Sequence, residues 1–296
     1  MTLISTKLPD VATFSNKPPE LHSNTILVAS TYRKYYYPEH KTPYLFISNF
    51  HAKGHYIANQ QRIEVSERNF YFLNKNDDLE IHFKENVKLQ TLFILFNADF
   101  IKDSASALLE SDEKLLDTPH TSITEVVIPT VPYPYNTSIS EKISLLTKFK
   151  CSKETLDILL FELITDIFQL IHSTQKSMNR LEAKKKATKE EIYRRIFMAI
   201  EMMNDSLTEK KTLDAISKAV YMNKFHFLAN FKSITGATPH QYFIQLKLQK
   251  AFELLQSKQY SVSEVCSALD FDSIGSFSNL FKSKFLNSPS KIPNFR

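Results

Sequence analysis

The segment Phe227-Leu-Ala-Asn-Phe231-Lys232-Ser233, with Pro239 six residues on, returns as Phe277-Ser-Asn-Leu-Phe281-Lys282-Ser283 with Pro289. A chain that carries this unit twice is committed to folding its C-terminal third as two copies of one supersecondary element. The copies extend upstream. Leu213, Ile216 and Ala219 lie 49 residues before Val262, Val265 and Ala268, whereas the Phe-Lys-Ser segments lie 50 apart, so one residue is gained in the turn between them, where insertions are tolerated. Each copy reads as a short helix with apolar residues at i, i+3 and i+6, a tight turn, and a second helix whose Phe pair at i, i+4 faces a core. This is the grammar of a helix-turn-helix.

Start signals agree with that division. Ser261-x-x-Glu264 is a capping-box pattern opening the second copy, and Thr188-x-x-Glu191 reads as another opening the helix before the first. Thr238-Pro239 and Ser288-Pro289 each set an N-cap residue before a proline at the first helical position. Residues 239–257 contain no further proline or glycine and predict a helix of roughly 28 Å. That approaches the ~34 Å between successive major grooves on one face of B-DNA.

Charge is divided along the same line. Residues 184–296 hold 18 Lys+Arg against 10 Asp+Glu, net +8, while residues 1–183 hold 19 against 22, net −3, and together these make the chain's +5. A basic excess confined to the helix-turn-helix half fits a polyanionic partner, since phosphate neutralisation supplies most sequence-independent DNA affinity. The bland alternative is a solvated basic surface, with Lys184 to Lys186 as an ordinary linker run.

The stretch from about Glu190 to Arg296 resembles the AraC/XylS-type DNA-binding domain, two helix-turn-helix motifs joined by a long helix. The residues that carry the resemblance are Phe231-Lys232, Gly236-x-x-Pro239-x-x-Tyr242, Lys247-Leu248-x-x-Ala251, Leu254-Leu255, Val262-x-Glu264-Val265, Phe271, Phe277-Ser278, and Phe281-Lys282 through Ser288-Pro289-Ser290. The departures are Asp270 and Asn287 where the family usually has glycine, Lys247 where it usually has arginine, and Ala229 and Asn279 where arginine is common. The resemblance implies recognition helices at about 223–233 and 273–284, which read bases near their N-termini. The first would present Asn223, Lys224, Phe225, Leu228 and Ala229, a face poor in hydrogen-bonding groups, suited to thymine methyls and to A·T-rich shape. The second would present Ile274, Gly275, Ser278 and Asn279, with Asn279 able to pair with adenine, or else solvated. Lys232, Lys247 and Lys282 suit phosphates, or are snorkelling surface lysines.

Before residue 130 the pattern is short apolar or alternating runs, at 25–30, 44–50, 63–65, 70–73, 79–83, 89–96 and 126–128, separated by polar turns. These predict an antiparallel sandwich or barrel. The family resemblance implies a cupin-like barrel sensing a small molecule of unknown identity. The expected fold is therefore α+β and multidomain: a β-barrel at 1–150, a helical dimerisation segment at 151–175, a linker at 176–188, and an all-α double helix-turn-helix domain at 189–296. No catalytic residues are expected. His40, His51, His55 and His82 lack the His-x-His spacing of a cupin metal centre, so no metal and no cofactor is expected. With three glycines in all, Gly54, Gly236 and Gly275, the chain has no glycine-rich phosphate cradle.

Pro129 to Pro134 is expected to end the strand region. From Ser152 to Gln175, Leu156, Leu160, Leu163, Ile167 and Leu170 form a heptad-like stripe, read either as a homodimer helix or as a helix docked on the barrel. Cys151 and Cys266 make no disulfide framework, no signal peptide opens the chain, and the apolar run 157–171 is too short and too charged to span a bilayer, so a cytoplasmic protein is expected. The sequence thus reads as a transcription regulator with duplex DNA, a small-molecule effector, a second copy and RNA polymerase as its partners. Two alternatives stand beside it: a DNA-independent protein-interaction role for a degenerate helix-turn-helix domain, and a cupin-type enzyme fused to a DNA tether.

Overall fold

A computed structural model describes residues 2–8, 16–84, 86–109, 126–148, 152–208 and 212–292, and it divides into two compact units, Met1–Gln175 and Lys176–Arg296. Cys151 lies outside the described residues.

In the first unit, strands β1 (Leu3–Ser5), β2 (Thr25–Thr31), β3 (Tyr35–Lys41), β4 (Tyr44–Phe50), β5 (Gly54–Ala58), β6 (Gln61–Val65), β7 (Asn69–Leu73), β8 (Asp78–Phe83), β9 (Leu89–Phe96) and β10 (Tyr133–Pro134) form two sheets. Their orders are β1-β2-β9-β4-β7-β10 and β3-β8-β5-β6, antiparallel throughout except for the β1–β2 pair. The antiparallel β-domain expected from the sequence is present, as two facing sheets without one continuous ladder. Alternate side chains from both meet in a single core. Leu27, Leu45, Ile47, Leu73 and Phe93 come from the six-stranded sheet; Tyr37, Tyr56, Val65, Ile81 and Phe83 come from the four-stranded one.

Two of the strands not foreseen show why pattern reading missed them. β3 contains Pro38, which breaks the apolar alternation, but β3 lies at a sheet edge and its register shifts between Tyr37 and His40, where a proline is tolerated. β10 lies inside the proline-rich stretch expected to end the strands, and it pairs along the outer edge of β7. The run 126–128, by contrast, is not a strand. Its backbone is held by side chains: Asn74 donates to the carbonyl of Ile128 at 2.9 Å and accepts from its N–H at 2.8 Å, and the Tyr44 hydroxyl donates to the carbonyl of Val126.

Helix α1 (Ala98–Leu109) follows β9, and α2 (Thr137–Thr147) is capped by Asn136, which accepts from the N–H of Ile139. Helix α3 (Lys153–Asn179) carries the heptad-like stripe, and the structure corrects the dimer assignment made on it. Leu156, Leu160, Leu163 and Ile167 are each at most 1% exposed within the protomer, so they have no surface to offer a second copy. Leu170 is half-buried. The helix is fixed from both sides. Asp166 accepts from Ser138 and Lys142 of α2 at 2.6 and 2.8 Å, and Thr2 donates to Asp157. The linker expected at 176–188 is also shorter than read, because α3 runs on to Asn179 and the next helix begins at Lys186.

The second unit is all helical: α4 (Lys186–Asp205), α5 (Leu213–Ala219), α6 (Lys224–Thr235), α7 (Pro239–Gln256), α8 (Val262–Ala268) and α9 (Ile274–Phe285), then a 3-10 turn at Pro289–Lys291. Its repeat is longer than the sequence showed. One core is built on Ile196, Ala199 and Met203 of α4 with Ile216, Val220, Phe227 and Phe231; the other on Leu248, Ala251 and Leu255 of α7 with Val265, Leu269, Phe277 and Phe281. Each copy is therefore three helices, α4-α5-α6 and α7-α8-α9, and the joining helix α7 is also the first helix of the second copy. The capping box at Ser261 and Glu264 forms with both hydrogen bonds, and Thr238 with Gln241 makes a second. The one read at Thr188 does not form. Helix α4 starts two residues earlier without a side-chain cap, and Glu191 turns instead to Arg194 and Arg195.

Candidate nucleic-acid interface

The two expected recognition helices are α6 and α9. In each, a Phe pair one turn apart is fully buried with nearly the same geometry, ring centroids 5.5 Å apart for Phe227 and Phe231 and 5.6 Å for Phe277 and Phe281, both at 63°. These pairs fix the rotation of the helices, and so decide which residues face outward. On α6 the outward set is Lys224, Phe225, Ala229 and Lys232, with Leu228 half-buried; on α9 it is Ile274, Gly275, Asn279 and Lys282, with Ser278 half-buried. Phe225 stands 79% exposed at the head of its helix, in a position no folding argument explains.

Two expected contacts are reassigned by the geometry. Asn223 is the N-cap of α6; its Oδ1 accepts from the N–H of Phe225 at 2.8 Å, which ties that oxygen to the helix start rather than to a base edge. Lys247 is 6% exposed and cannot reach a phosphate. Its ammonium lies over the rings of Phe243 and Phe271, at 5.0 and 5.8 Å, and donates to the carbonyl of Asp270. Phe243 lies one turn before Lys247 on α7, but Phe271 is brought over it by the turn before α9, which the sequence does not show.

The first unit holds a cavity of about 360 Å³, lined chiefly by Leu27, Tyr37, Leu45, Leu79, Ile81, Phe93 and Leu95, with Lys17, His40 and Thr42 as its polar members. Burial holds the His40 imidazole below its ordinary value, against smaller opposing effects led by the hydrogen bond to the Pro38 carbonyl, so its neutral form is favoured. At the core of the sandwich, Asn49 donates to the Val65 carbonyl and accepts from Tyr56. Gly54 leaves the room this network needs, since a Cβ there would lie 2.1 Å from the Asn49 amide nitrogen. Among the described residues there is no group of three or more His, Cys, Asp or Glu side chains that could hold a metal ion, and no helix long and apolar enough to cross a membrane.

A helix-turn-helix domain family model matches residues 216–293, which takes in the whole second copy and, of the first, α6 with part of α5. The MmsAB operon regulatory protein of Pseudomonas aeruginosa is 38% identical over 88 residues, 30% of this chain and 29% of that protein. The HTH-type transcriptional activator RhaS of Escherichia coli is 28% identical over 98 residues, 33% of this chain and 35% of that protein. Its second unit carries a helix-turn-helix domain of the AraC/XylS type. The match to these relatives spans about a third of their length, so it is the AraC/XylS-type domain that is shared. Among solved structures, an AraC-type DNA-binding-domain regulator from Chromobacterium violaceum is 26% identical and covers 33% of this chain and 88% of its own, with a TM-score of 0.32. ToxT of Vibrio cholerae with an unsaturated fatty acid bound is 13% identical and covers 92% of this chain and 95% of its own, with a TM-score of 0.37.

Proposed function

We propose that this chain regulates transcription by binding duplex DNA through α6 and α9, under the control of a small molecule held in the cavity of its first unit. The observation that carries the reading is the duplicated three-helix unit: each copy turns its Phe pair inward and an open helix face outward, on the half of the chain with net charge +8. The two heads differ in chemistry. On α6 the outward set offers Phe225 and Ala229 beside its lysines and the exposed His226, and suits thymine methyls, whereas on α9 Asn279 supplies the carboxamide that can pair with adenine N6 and N7. Lys232 and Lys282 are exposed one turn from the helix C-termini and suit phosphates.

The cavity's lining fits a largely apolar effector with few polar groups. A homodimer, if it uses α3, would use the face that carries Ile158 and Phe161, which are 62% and 45% exposed. The reading places the protein in the cytoplasm, with RNA polymerase as a further partner, and assigns it no catalysis. The second reading, a protein-interaction role without DNA, is favoured by the bare ring of Phe225.

The test is quantitative. The full chain should bind a duplex carrying its own upstream region more tightly than a scrambled one, and Asn279→Ala should cost about 1–3 kcal/mol on the specific duplex alone. Equal losses on both duplexes would reject direct readout by Asn279; no binding of the unaltered chain to either would reject the DNA reading.

A further inference from the structure

The three-helix repeat pairs residues that the sequence motif did not. By the register that aligns Ile196 with Leu248 and Ala199 with Ala251, Arg195 on α4 is the counterpart of Lys247 on α7. By the register of the short helices, Tyr221 is the counterpart of Asp270. Both of the latter are left-handed, with φ of 55° and 53°, and both end their helix with the same pair of hydrogen bonds. Tyr221 and Met222 donate to the carbonyls of Lys218 and Ser217; Asp270 and Phe271 donate to those of Ser267 and Cys266. That motif satisfies the helix carbonyls and leaves the carbonyl of the left-handed residue itself pointing away from the helix.

In both copies a cation takes that carbonyl. Arg195 Nη1 donates to the oxygen of Tyr221 at 2.7 Å, while its Nε donates to Glu191 at 2.8 Å; Lys247 Nζ donates to the oxygen of Asp270 at 3.4 Å. Only Met222 lies between Tyr221 and Asn223, the cap of α6, and only Phe271 and Asp272 lie between Asp270 and Ser273, the cap of α9. The carbonyl so held therefore lies in the turn that leads into each recognition helix, two residues before the cap of α6 and three before that of α9.

We propose that Arg195 is a positioning residue for the first recognition helix, the counterpart of Lys247 for the second: each sets the entry of its helix by holding the turn carbonyl, without touching DNA. The inference rests on the DNA-binding reading above. Its rival is that Arg195, whose side chain is 38% exposed, contacts a phosphate directly. The two differ in what lysine can replace. A phosphate contact survives Arg195→Lys, whereas a lysine cannot hold Glu191 and the Tyr221 carbonyl together in one planar fork.

The experiment compares the full chain with Arg195→Ala, Arg195→Lys, Lys247→Met and Lys232→Ala, measuring affinity for a mixed-sequence 40-base-pair duplex across salt concentrations and amide hydrogen exchange without DNA. Arg195→Ala and Arg195→Lys should speed exchange in the 222–228 region, and Arg195→Ala should weaken binding about tenfold with the slope against log salt unchanged, as loss of a charge-assisted hydrogen bond predicts. Lys247→Met should do the same for the 271–278 region. Lys232→Ala should instead flatten the slope by about 0.9 and leave exchange alone. A flattened slope for Arg195→Ala with full rescue by Arg195→Lys, or unchanged exchange in both Arg195 variants, would overturn the proposal. If the unaltered chain fails to bind the duplex, the DNA reading falls, and the exchange comparison still decides whether the clamp exists.

Discussion

At the scale of single residues, Asp270 stands in place of a family glycine where the backbone is left-handed, at φ 53°. Asn287 reads from the sequence as the substitute for a missing glycine, but the residue at φ 59° is its neighbour Leu286, which ends α9 as Gly236, at φ 78°, ends α6. A left-handed leucine is strained by its Cβ, and this one is 85% exposed, so it contributes little burial in return. Leu286→Gly is expected to stabilise the second unit by about 0.5–1 kcal/mol, read as a higher midpoint in denaturant unfolding, the relief of strain outweighing the greater freedom of the unfolded glycine. An unchanged or lower midpoint would show that the turn carries no such strain. Lys247 teaches the complementary lesson. Its identity is visible in the sequence, but its burial depends on Phe243 and Phe271 meeting over it, and Phe271 reaches it from the turn before α9.

At the scale of elements, caps and Phe pairs were legible because they are local: Ser261 with Glu264, Thr238 with Pro239, and both i, i+4 aromatic pairs appear as read. The backbone N–H and side chain of Ser261, given to Glu264, hold its carboxyl below its ordinary value of 4.5. The cap's electrostatic contribution is therefore complete above that value and is lost as pH falls through the lower folded one. Glu264→Gln keeps a hydrogen-bonding side chain without the charge, so thermal unfolding of the variant should depend less on pH below 4.5 than that of the unaltered chain; identical acid limbs would remove the cap from the account. The direction of α3 was not legible. A heptad stripe looks the same whether it faces a second copy or the chain's own core, and only the tertiary partners, Ser138 and Lys142 among them, decide it. Leu163→Asp with Ile167→Asp should therefore unfold the first unit, since two buried charges cost several kcal/mol, whereas Ile158→Glu with Phe161→Glu should leave it folded and shift any dimer to monomer in sedimentation. A folded monomer from the first pair would return the dimer contact to the buried stripe.

At the scale of the whole molecule, the division into a mildly acidic first part and a basic second one was readable from where charges fall along the chain, and the repeat that gives the second unit its two heads from residue order and spacing. What composition could not supply was the first helix of each copy. Across α4 and α7 only Ala199 and Ala251 among the paired core positions named above are the same residue, because a helix packing face asks for volume rather than identity. The central claim is that this basic double unit engages duplex DNA, and the most direct test is the affinity of the full chain for a duplex of its own upstream region measured from about 50 to 200 mM salt. The account predicts a linear fall of log affinity with log salt, with a slope of several units that flattens by about 0.9 for each of Lys232→Ala and Lys282→Ala. Binding that is absent throughout, or indifferent to salt, would contradict it.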